Sequence, residues 1–200
     1  LASISSTGRK VGELNLSVVG EHNLLNALAA FTAASALNMA EDKLFTGLKS
    51  FTGTRRRFEL KGEVSGIKVI DDYGHHPTEI IATLTAAKNL AQSARVLVIF
   101  QPHRYSRTAA FFEQFSAALS NADFTFLLEV YAASEKAIPG VSSLMIARNM
   151  DQTKVRFEPS MLEVVSEITK MAKSGDVIIT LGAGDISSLG EPILQSLASR

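Results

Sequence analysis

Residues 95–100 read Arg-Val-Leu-Val-Ile-Phe, which is apolar at five successive positions. Two further runs are also largely apolar, at residues 124–128 (Phe-Thr-Phe-Leu-Leu) and 176–181 (Asp-Val-Ile-Ile-Thr-Leu). Strands that are apolar on both faces are typical of a parallel sheet covered by helices on both sides. The three runs therefore favour an α/β fold with a Rossmann-like, doubly wound, mostly parallel sheet.

The segments around these runs complete the alternation of strands and helices that such a fold needs. Residues 58–64 and 67–70 predict two strands joined across Ser65-Gly66, a hairpin signal. A short strand is predicted at residues 155–157. Helices are predicted at residues 77–91, 108–120, 142–150, 161–173 and 187–199. Residues 53–200 are therefore predicted to form one domain.

The first fifty residues show a different organisation. Residues 11–20 predict a strand, and residues 22–39 and 41–50 predict two helices. These elements are too few for an independent hydrophobic core. A connector, Phe51-Thr52-Gly53-Thr54, follows them, so a boundary is expected there and residues 1–52 are expected to belong to another domain. The first residue is Leu1 and not Met, so we expect the chain to be cut from something longer.

Composition excludes several classes of protein. The 20 basic and 20 acidic side chains balance, which argues against nonspecific binding to nucleic acid or to an anionic membrane. The absence of Cys excludes disulfides, thiol nucleophiles and Cys-type zinc sites. The longest charge-free apolar stretch, residues 24–40, contains four polar residues and is shorter than the ~20 residues that a membrane span needs. We therefore expect no membrane or nucleic-acid partner.

Three polar clusters follow predicted strands, where ligands bind in sheets of this kind. They hold three of the four histidines. The clusters are Asp71-Asp72-Tyr73-Gly74-His75-His76-Pro77, Gln101-Pro102-His103-Arg104-Tyr105-Ser106-Arg107-Thr108 and Gly182-Ala183-Gly184-Asp185. We name them the first, second and third cluster. Their positions predict a ligand site at one edge of the sheet.

Each cluster also has a simpler interpretation. Arg104 and Arg107 are three apart and could grip one carboxylate or phosphate, or could simply be solvated. Asp72 could cap the next helix. The Gly-Ala-Gly turn could bring backbone N–H groups to a ligand, or could only allow a tight turn. His75, His76 and His103 are zinc-competent, but the local spacing pairs no two imidazoles, so no metal site is expected.

The same clusters carry a resemblance to a known family. With Gly20-Glu21-His22-Asn23-Leu24-Leu25-Asn26 and Arg56-Arg57-Phe58-Glu59, the sequence resembles the Mur ligases of peptidoglycan synthesis across nearly its whole length. The first and second clusters are similar to the branch that adds L-alanine. The resemblance implies a cytoplasmic bacterial ligase that joins L-alanine to UDP-N-acetylmuramate through an acyl phosphate, using ATP and Mg²⁺. It also implies that residues 1–52 are the end of the central ATPase domain.

The resemblance implies roles for individual residues. Asn23 and Asn26 match residues on the adenine side of ATP, and Asp72 matches the acidic residue near the ribose. Arg57 matches the arginine that reaches the ATP phosphates and is the predicted catalytic residue. The remaining four match the L-alanine pocket, with the arginines on the carboxylate: Tyr73, His75, Arg104 and Arg107. The resemblance implies no roles for His76, His103 and Asp185.

One difference from the family pattern determines how much ligase activity we expect from this chain. The chain contains no G-x-x-x-x-G-K-[ST] loop, so the lysine that would bind the ATP phosphates is absent from it. We therefore expect negligible ligase activity from these 200 residues alone. Two other hypotheses remain open from the residues: a non-catalytic α/β module that binds an amino acid or nucleotide, and a metal hydrolase that uses the histidine cluster.

Overall fold

The computed structural model describes residues 2–6, 8–18 and 20–200. They divide into two compact units, Leu1–Thr54 and Arg55–Arg200. Within the described residues, no helix combines the length and the apolar character that crossing a membrane requires.

The first unit contains a hairpin and two helices. Strands β1 (Ala2–Ser6) and β2 (Arg9–Leu14) are antiparallel, and helices α1 (Glu21–Ala36) and α2 (Glu41–Ser50) follow. A small apolar core forms between them from Ile4, Leu14, Ala27, Phe31 and Leu44. The sequence predicted one strand at residues 11–20, but that strand ends at Leu14 and pairs with β1, which was not predicted. Val19, in the same predicted strand, lies outside the described residues.

The second unit is built on a six-stranded sheet. The strands are β3 (Glu59–Val64), β4 (Ile67–Asp72), β5 (Val96–Phe100), β6 (Phe124–Leu127), β7 (Val155–Phe157) and β8 (Val177–Leu181). They lie in the order β3-β4-β8-β5-β6-β7. Only the β3–β4 pair is antiparallel, so the predicted mostly parallel α/β fold is confirmed. The helices are α3 (Pro77–Ala91), α4 (Tyr105–Leu119), α5 (Leu144–Arg148), α6 (Met161–Met171) and α7 (Gly190–Ala198).

Alternation along the central strands explains why helices cover both faces. Val96, Val98 and Phe100 of β5 join a core with side chains of α3, α4 and α5, including Ile80, Leu84, Phe115, Leu119 and Ile146. Leu97 and Ile99 join the opposite core with side chains of α6 and α7, including Val164, Ile168, Ile193 and Leu197. Because successive side chains of a strand point to opposite faces, one apolar run serves both cores.

Several helix boundaries differ from the sequence-based expectation. Helix α4 begins at Tyr105, three residues before the predicted start, and departs from helical geometry at Phe111. Helix α5 is shorter than residues 142–150. A 3₁₀ turn, Asp185–Leu189, precedes α7, where one continuous helix was predicted. The predicted hairpin is confirmed, and Ser65 and Gly66 both have positive φ, as its tight turn requires.

Candidate functional site

The three clusters meet because β4, β8 and β5 are adjacent and parallel, so their carboxyl ends share one edge of the sheet. Hydrogen bonds join the loops there. Gly182 N donates to Asp72 O (3.0 Å), and Gln101 Nε2 donates to Asp185 Oδ1 (2.8 Å). The His75 and His103 rings are 5.9 Å apart. The first, second and third clusters therefore form one continuous surface.

Asp72 organises the first cluster from inside the fold. Its side chain is nearly inaccessible, with 6% of the residue exposed. One carboxylate oxygen accepts hydrogen bonds from Gly74 N (2.8 Å) and Thr83 Oγ1 (2.9 Å), and the other accepts from Phe58 N (2.8 Å). Asp72 thus fixes the backbone next to Arg57, and its predicted place near a ribose stays a prediction.

The helix-capping alternative for Asp72 is wrong. His76 is the N-cap residue of α3, and its Nδ1 accepts a long hydrogen bond from Thr78 N (3.4 Å). Glu79 closes the capping box by accepting from His76 N (3.1 Å). Pro77 begins the helix, where its missing N–H costs nothing.

Arg56, which the sequence analysis did not single out, ties the first cluster to the third. Its Nη2 donates to the carbonyl oxygens of Gly182 (2.6 Å) and Gly184 (3.1 Å). Its Nε lies 3.3 Å from Asp71 Oδ2, and its guanidinium lies 4.9 Å from the centre of the Tyr73 ring. Burial raises the pKa of Asp71, while the Thr180 hydroxyl and the charge of Arg56 oppose that rise.

Arg57 is free of such ties. Its side chain is 52% exposed and contacts the Glu79 carboxylate only at 3.7 Å. Its guanidinium lies over the ring of Tyr73, one of the residues predicted for the L-alanine pocket, 5.4 Å from the ring centre. An exposed cation held loosely over a ring can reach an incoming anion without breaking a buried contact. The arginine pair thus divides into a fixed Arg56 and an available Arg57.

The second cluster starts α4. Arg104 is the N-cap residue, with φ at 75°, and its N–H donates to Tyr131 O (2.8 Å). Arg107 lies in the first turn and points Nη1 toward His103 Nδ1 (3.4 Å). Among the described residues, no carboxylate lies within ion-pair distance of Arg104 or Arg107. Both arginines are therefore available for an anion.

His103 separates these arginines from the first cluster. Burial lowers the pKa of His103 below its usual value, and the positive charges of Arg107 and Arg104 lower it further. The ring stacks on Tyr131, with centres 5.6 Å apart. His103 is therefore neutral at neutral pH, and it gives the site a polar surface without a charge.

The segment after β6 belongs to the site, although the sequence analysis missed it. Tyr131 covers His103, and Glu135 accepts from Ser106 N (3.0 Å) and Ser106 Oγ (2.6 Å) at the start of α4. Ala133 and Ser134 both have positive φ between these two anchors. The only sequence signal was a tyrosine and a glutamate shortly after a buried strand.

The third cluster is a tight turn whose glycines are required by packing. A Cβ at Gly182 would lie 2.7 Å from Gln101 O, and a Cβ at Gly184 would lie 2.8 Å from Tyr131 Cγ. The carbonyl oxygens of both glycines accept from Arg56. The tight-turn interpretation accounts for this geometry.

The predicted site residues fall into two groups. Arg57, Asp72, Tyr73, His75, Arg104 and Arg107 belong to the second unit and lie in or beside the first two clusters. Asn23 and Asn26 lie in α1 of the first unit, half-buried and exposed respectively. Gly20 is the N-cap residue of α1, so neither asparagine holds that position. Within the described part of the chain, no three side chains of metal-ligating type lie close enough to hold an ion.

Comparison with known proteins identifies the family. The family model described as "Mur ligase, glutamate ligase domain" matches residues 56–184, more than half of the chain. The chain belongs to the Mur ligase family. The resemblance drawn from the clusters is thereby confirmed, and all three clusters begin within the matched range.

Two relatives and one solved structure place the chain within the Mur ligases. Proteins called UDP-N-acetylmuramate–L-alanine ligase from Renibacterium salmoninarum and Acidobacterium capsulatum are 47% and 46% identical, over 93% and 98% of this chain. The crystal structure of UDP-N-acetylmuramate-alanine ligase from Thermotoga maritima is 30% identical over 96% of this chain, with a TM-score of 0.77. The chain spans 40%, 43% and 41% of these proteins, respectively.

Proposed function

We propose that this chain is the carboxyl-terminal part of a UDP-N-acetylmuramate–L-alanine ligase of the bacterial cytoplasm. Such an enzyme would use ATP to activate the lactyl carboxylate of UDP-N-acetylmuramate and would then join it to L-alanine. The proposal rests on one observation above all: Arg104 and Arg107 start α4 beside neutral His103, and no carboxylate in the described part of the chain lies within ion-pair distance of either arginine. The names of the relatives supply the identity of the substrates.

The geometry supports a specific mode of amino-acid recognition. A planar guanidinium can donate two parallel hydrogen bonds to a carboxylate, and each such bond contributes about 1.5–3 kcal/mol. Arg104 and Arg107 would hold the carboxylate of L-alanine, while Tyr73 and His75 would face its amino group. Glu135 already occupies the N–H of Ser106 at the start of α4. That N–H is therefore not free to bind the carboxylate of L-alanine, and the arginine side chains would bind it instead.

In this proposal, ATP lies on the other side of the first cluster. Arg57 is the exposed cation there, and a fixed positive charge stabilises a phosphoryl group in transfer. Asp72 holds Phe58 N and so would set the direction from which Arg57 approaches. ATP supplies the phosphoryl group that turns the carboxylate into an acyl phosphate. Mg²⁺ would be held mainly by the part of the enzyme that precedes this chain.

We propose that residues 1–52 form the carboxyl-terminal end of the central ATPase domain, with Asn23 and Asn26 on the adenine side of ATP. Several apolar side chains of this segment are exposed here, including Leu25, Leu28, Leu37 and Met39. A preceding segment that completed the domain would cover such a face. The small core of the first unit supports the same assignment.

The test compares the chain with the complete polypeptide that contains it. The complete polypeptide should release phosphate from ATP only when both UDP-N-acetylmuramate and L-alanine are present. Arg104→Ala and Arg107→Ala should each raise KM for L-alanine at least tenfold, with a smaller change in KM for ATP. Ligase turnover by the 200-residue chain alone would contradict the proposal. Tight L-alanine binding by that chain without turnover in any complete polypeptide would favour a non-catalytic module.

A further inference from the structure

The hydrogen bonds of His75 define which ring nitrogen is free. Nδ1 lies 3.0 Å from the carbonyl oxygen of Tyr73. A carbonyl oxygen can only accept, so Nδ1 carries the proton and the neutral ring presents a lone pair at Nε2. Nδ1 also lies 3.4 Å from Glu79 Oε2. A carboxylate behind Nδ1 stabilises the ring when Nε2 takes up a proton, as in catalytic dyads and triads.

Glu79 is itself held firmly in place. Its Oε2 accepts from His75 N (2.9 Å) and His76 N (3.1 Å), while Oε1 faces Arg57. Partial burial would raise the pKa of Glu79, but the hydrogen bonds from the His75 and His76 N–H groups, together with the positive charge of Arg57, bring it below its usual value. The carboxylate is therefore ionised at neutral pH, and it fixes both the ring orientation and the tautomer of His75.

His75 is connected to Arg107 through His103. Its ring lies between Tyr73, 5.2 Å away, and His103, 5.9 Å away, and His103 Nδ1 lies 3.4 Å from Arg107 Nη1. An α-amino acid carries its ammonium group one carbon from its carboxylate. A carboxylate on the second-cluster arginines would therefore allow the ammonium to point toward the first cluster. Neutral His103 between them does not repel the ammonium.

We propose that His75 Nε2 is the proton acceptor for the amino group of the incoming amino acid, with Glu79 as the positioning residue behind it. This inference rests on the proposed ligase function. Nε2 takes one proton from the ammonium, and the freed electron pair forms the C–N bond to the carbonyl carbon of the acyl phosphate. The C–O bond to phosphate breaks, and the phosphate leaves with the bonding pair and the second nitrogen proton. His75 then returns its proton to water.

A change of nucleophile tests this role in the complete polypeptide. Hydroxylamine is largely unprotonated at neutral pH and needs no proton acceptor to attack an acyl phosphate. We expect His75→Gln to lower kcat for L-alanine by about 100-fold or more, with hydroxamate formation near the wild-type rate. The remaining alanine ligation should keep rising with pH as the unprotonated fraction of alanine grows. His76→Gln is the matched control, because that neighbouring ring caps α3 and should leave the ratio of the two products unchanged.

The outcomes separate this inference from the proposed function. Equal loss of both products in His75→Gln would overturn the proton-acceptor role and leave the ligase assignment standing. Absence of both products from the wild-type polypeptide would overturn the ligase assignment and this inference with it. ¹⁵N NMR of the 200-residue chain gives a readout that needs no activity. The proton of the neutral ring should sit on Nδ1, and Glu79→Gln should shift the tautomer toward protonated Nε2. In the complete polypeptide, Glu79→Gln should lower kcat more than it changes KM.

Discussion

The Arg56 guanidinium lies against the Asp71 carboxylate, with Nε 3.3 Å from Oδ2, where β4 ends. Asp71 is 2% exposed at its side chain and Arg56 is 25% exposed, so the pair is screened from water mainly on the Asp71 side. Arg56 also donates to two backbone carbonyl oxygens of the third cluster, at Gly182 and Gly184. One arginine thus balances a buried charge and holds the first and third clusters together.

Arg56→Ala should destabilise the chain by about 2 kcal/mol, because it removes charge-assisted hydrogen bonds and the cation that contacts Asp71. Burial raises the pKa of Asp71, and the charge of Arg56 partly opposes that rise. Removing Arg56 should therefore raise the pKa of Asp71 further. The loss should therefore be larger at pH 7.5 than at pH 5, because protonation of Asp71 removes its attraction to Arg56. Urea unfolding at the two pH values measures the difference. Arg56→Lys keeps the charge and should lose less, and a pH-independent loss would contradict this account.

The fold was predictable because its decisive signals are local. Residues 95–100 are apolar on both faces, and only a sheet covered on both sides buries such a strand completely. β1 was missed because Ala-Ser-Ile-Ser-Ser is only weakly apolar. Its pairing with β2 depends on the three-dimensional structure and leaves no signal in the segment itself. The early start of α4 depends on Glu135, which lies 29 residues beyond Ser106 and leaves no local pattern.

The sequence could predict which loops form the candidate site, but it could not predict which side chains contact each other there. Strand ends identify loops that share an edge, so the three clusters could be found without structure. Arg56 and Arg57 have identical side chains in adjacent positions, and only the fold shows that the first is fixed and the second is exposed. Tyr131 escaped notice for a similar reason, because nothing local shows that it stacks on His103.

Asp176→Asn should remove stability at the opposite end of the sheet. Burial alone would raise the pKa of Asp176, but hydrogen bonds from the Arg95 side chain and from the N–H groups of Lys173 and Arg95 hold it below its ordinary value of 3.8. A depressed pKa contributes stability above the unfolded value, and that contribution is lost as pH falls through the folded value. We expect a loss of about 2 kcal/mol at pH 7, shrinking below pH 4.

Thermal or urea unfolding of Asp176→Asn at pH 7 and pH 3 measures this dependence. Asp176 immediately precedes β8, so it lies at the amino end of the sheet and away from the three clusters. Ligation of L-alanine by the complete polypeptide should therefore be unchanged in this variant. Equal destabilisation at both pH values would show that the ion pair with Arg95 is not the cause.

Gly184→Ala should disturb the candidate site directly. The added Cβ would meet Gln101 Oε1 and the Tyr131 ring, so one of them must move. Forced overpacking of this kind costs about 1–3 kcal/mol. NMR shifts of Tyr131 and His103 should change together, because their rings stack. Unchanged shifts for both residues would contradict this prediction.

Gly47→Ala is the matched control for that substitution. Gly47 lies inside α2, and an added Cβ would have nothing within 4 Å. Replacing glycine by alanine inside a helix should stabilise the first unit by about 0.5–1 kcal/mol. The two substitutions add the same methyl group and should change stability in opposite directions.

Residues 55–200 should fold as a separate polypeptide. Both layers of its core are formed within the unit, one by α3, α4 and α5 and the other by α6 and α7 against the same sheet. A separate polypeptide of residues 1–54 should not fold, because five buried apolar side chains in its described part bury too little surface to offset chain entropy. Circular dichroism with urea unfolding should show one cooperative transition for residues 55–200 and none for residues 1–54. A cooperative transition for residues 1–54 would instead make the first unit a domain in its own right.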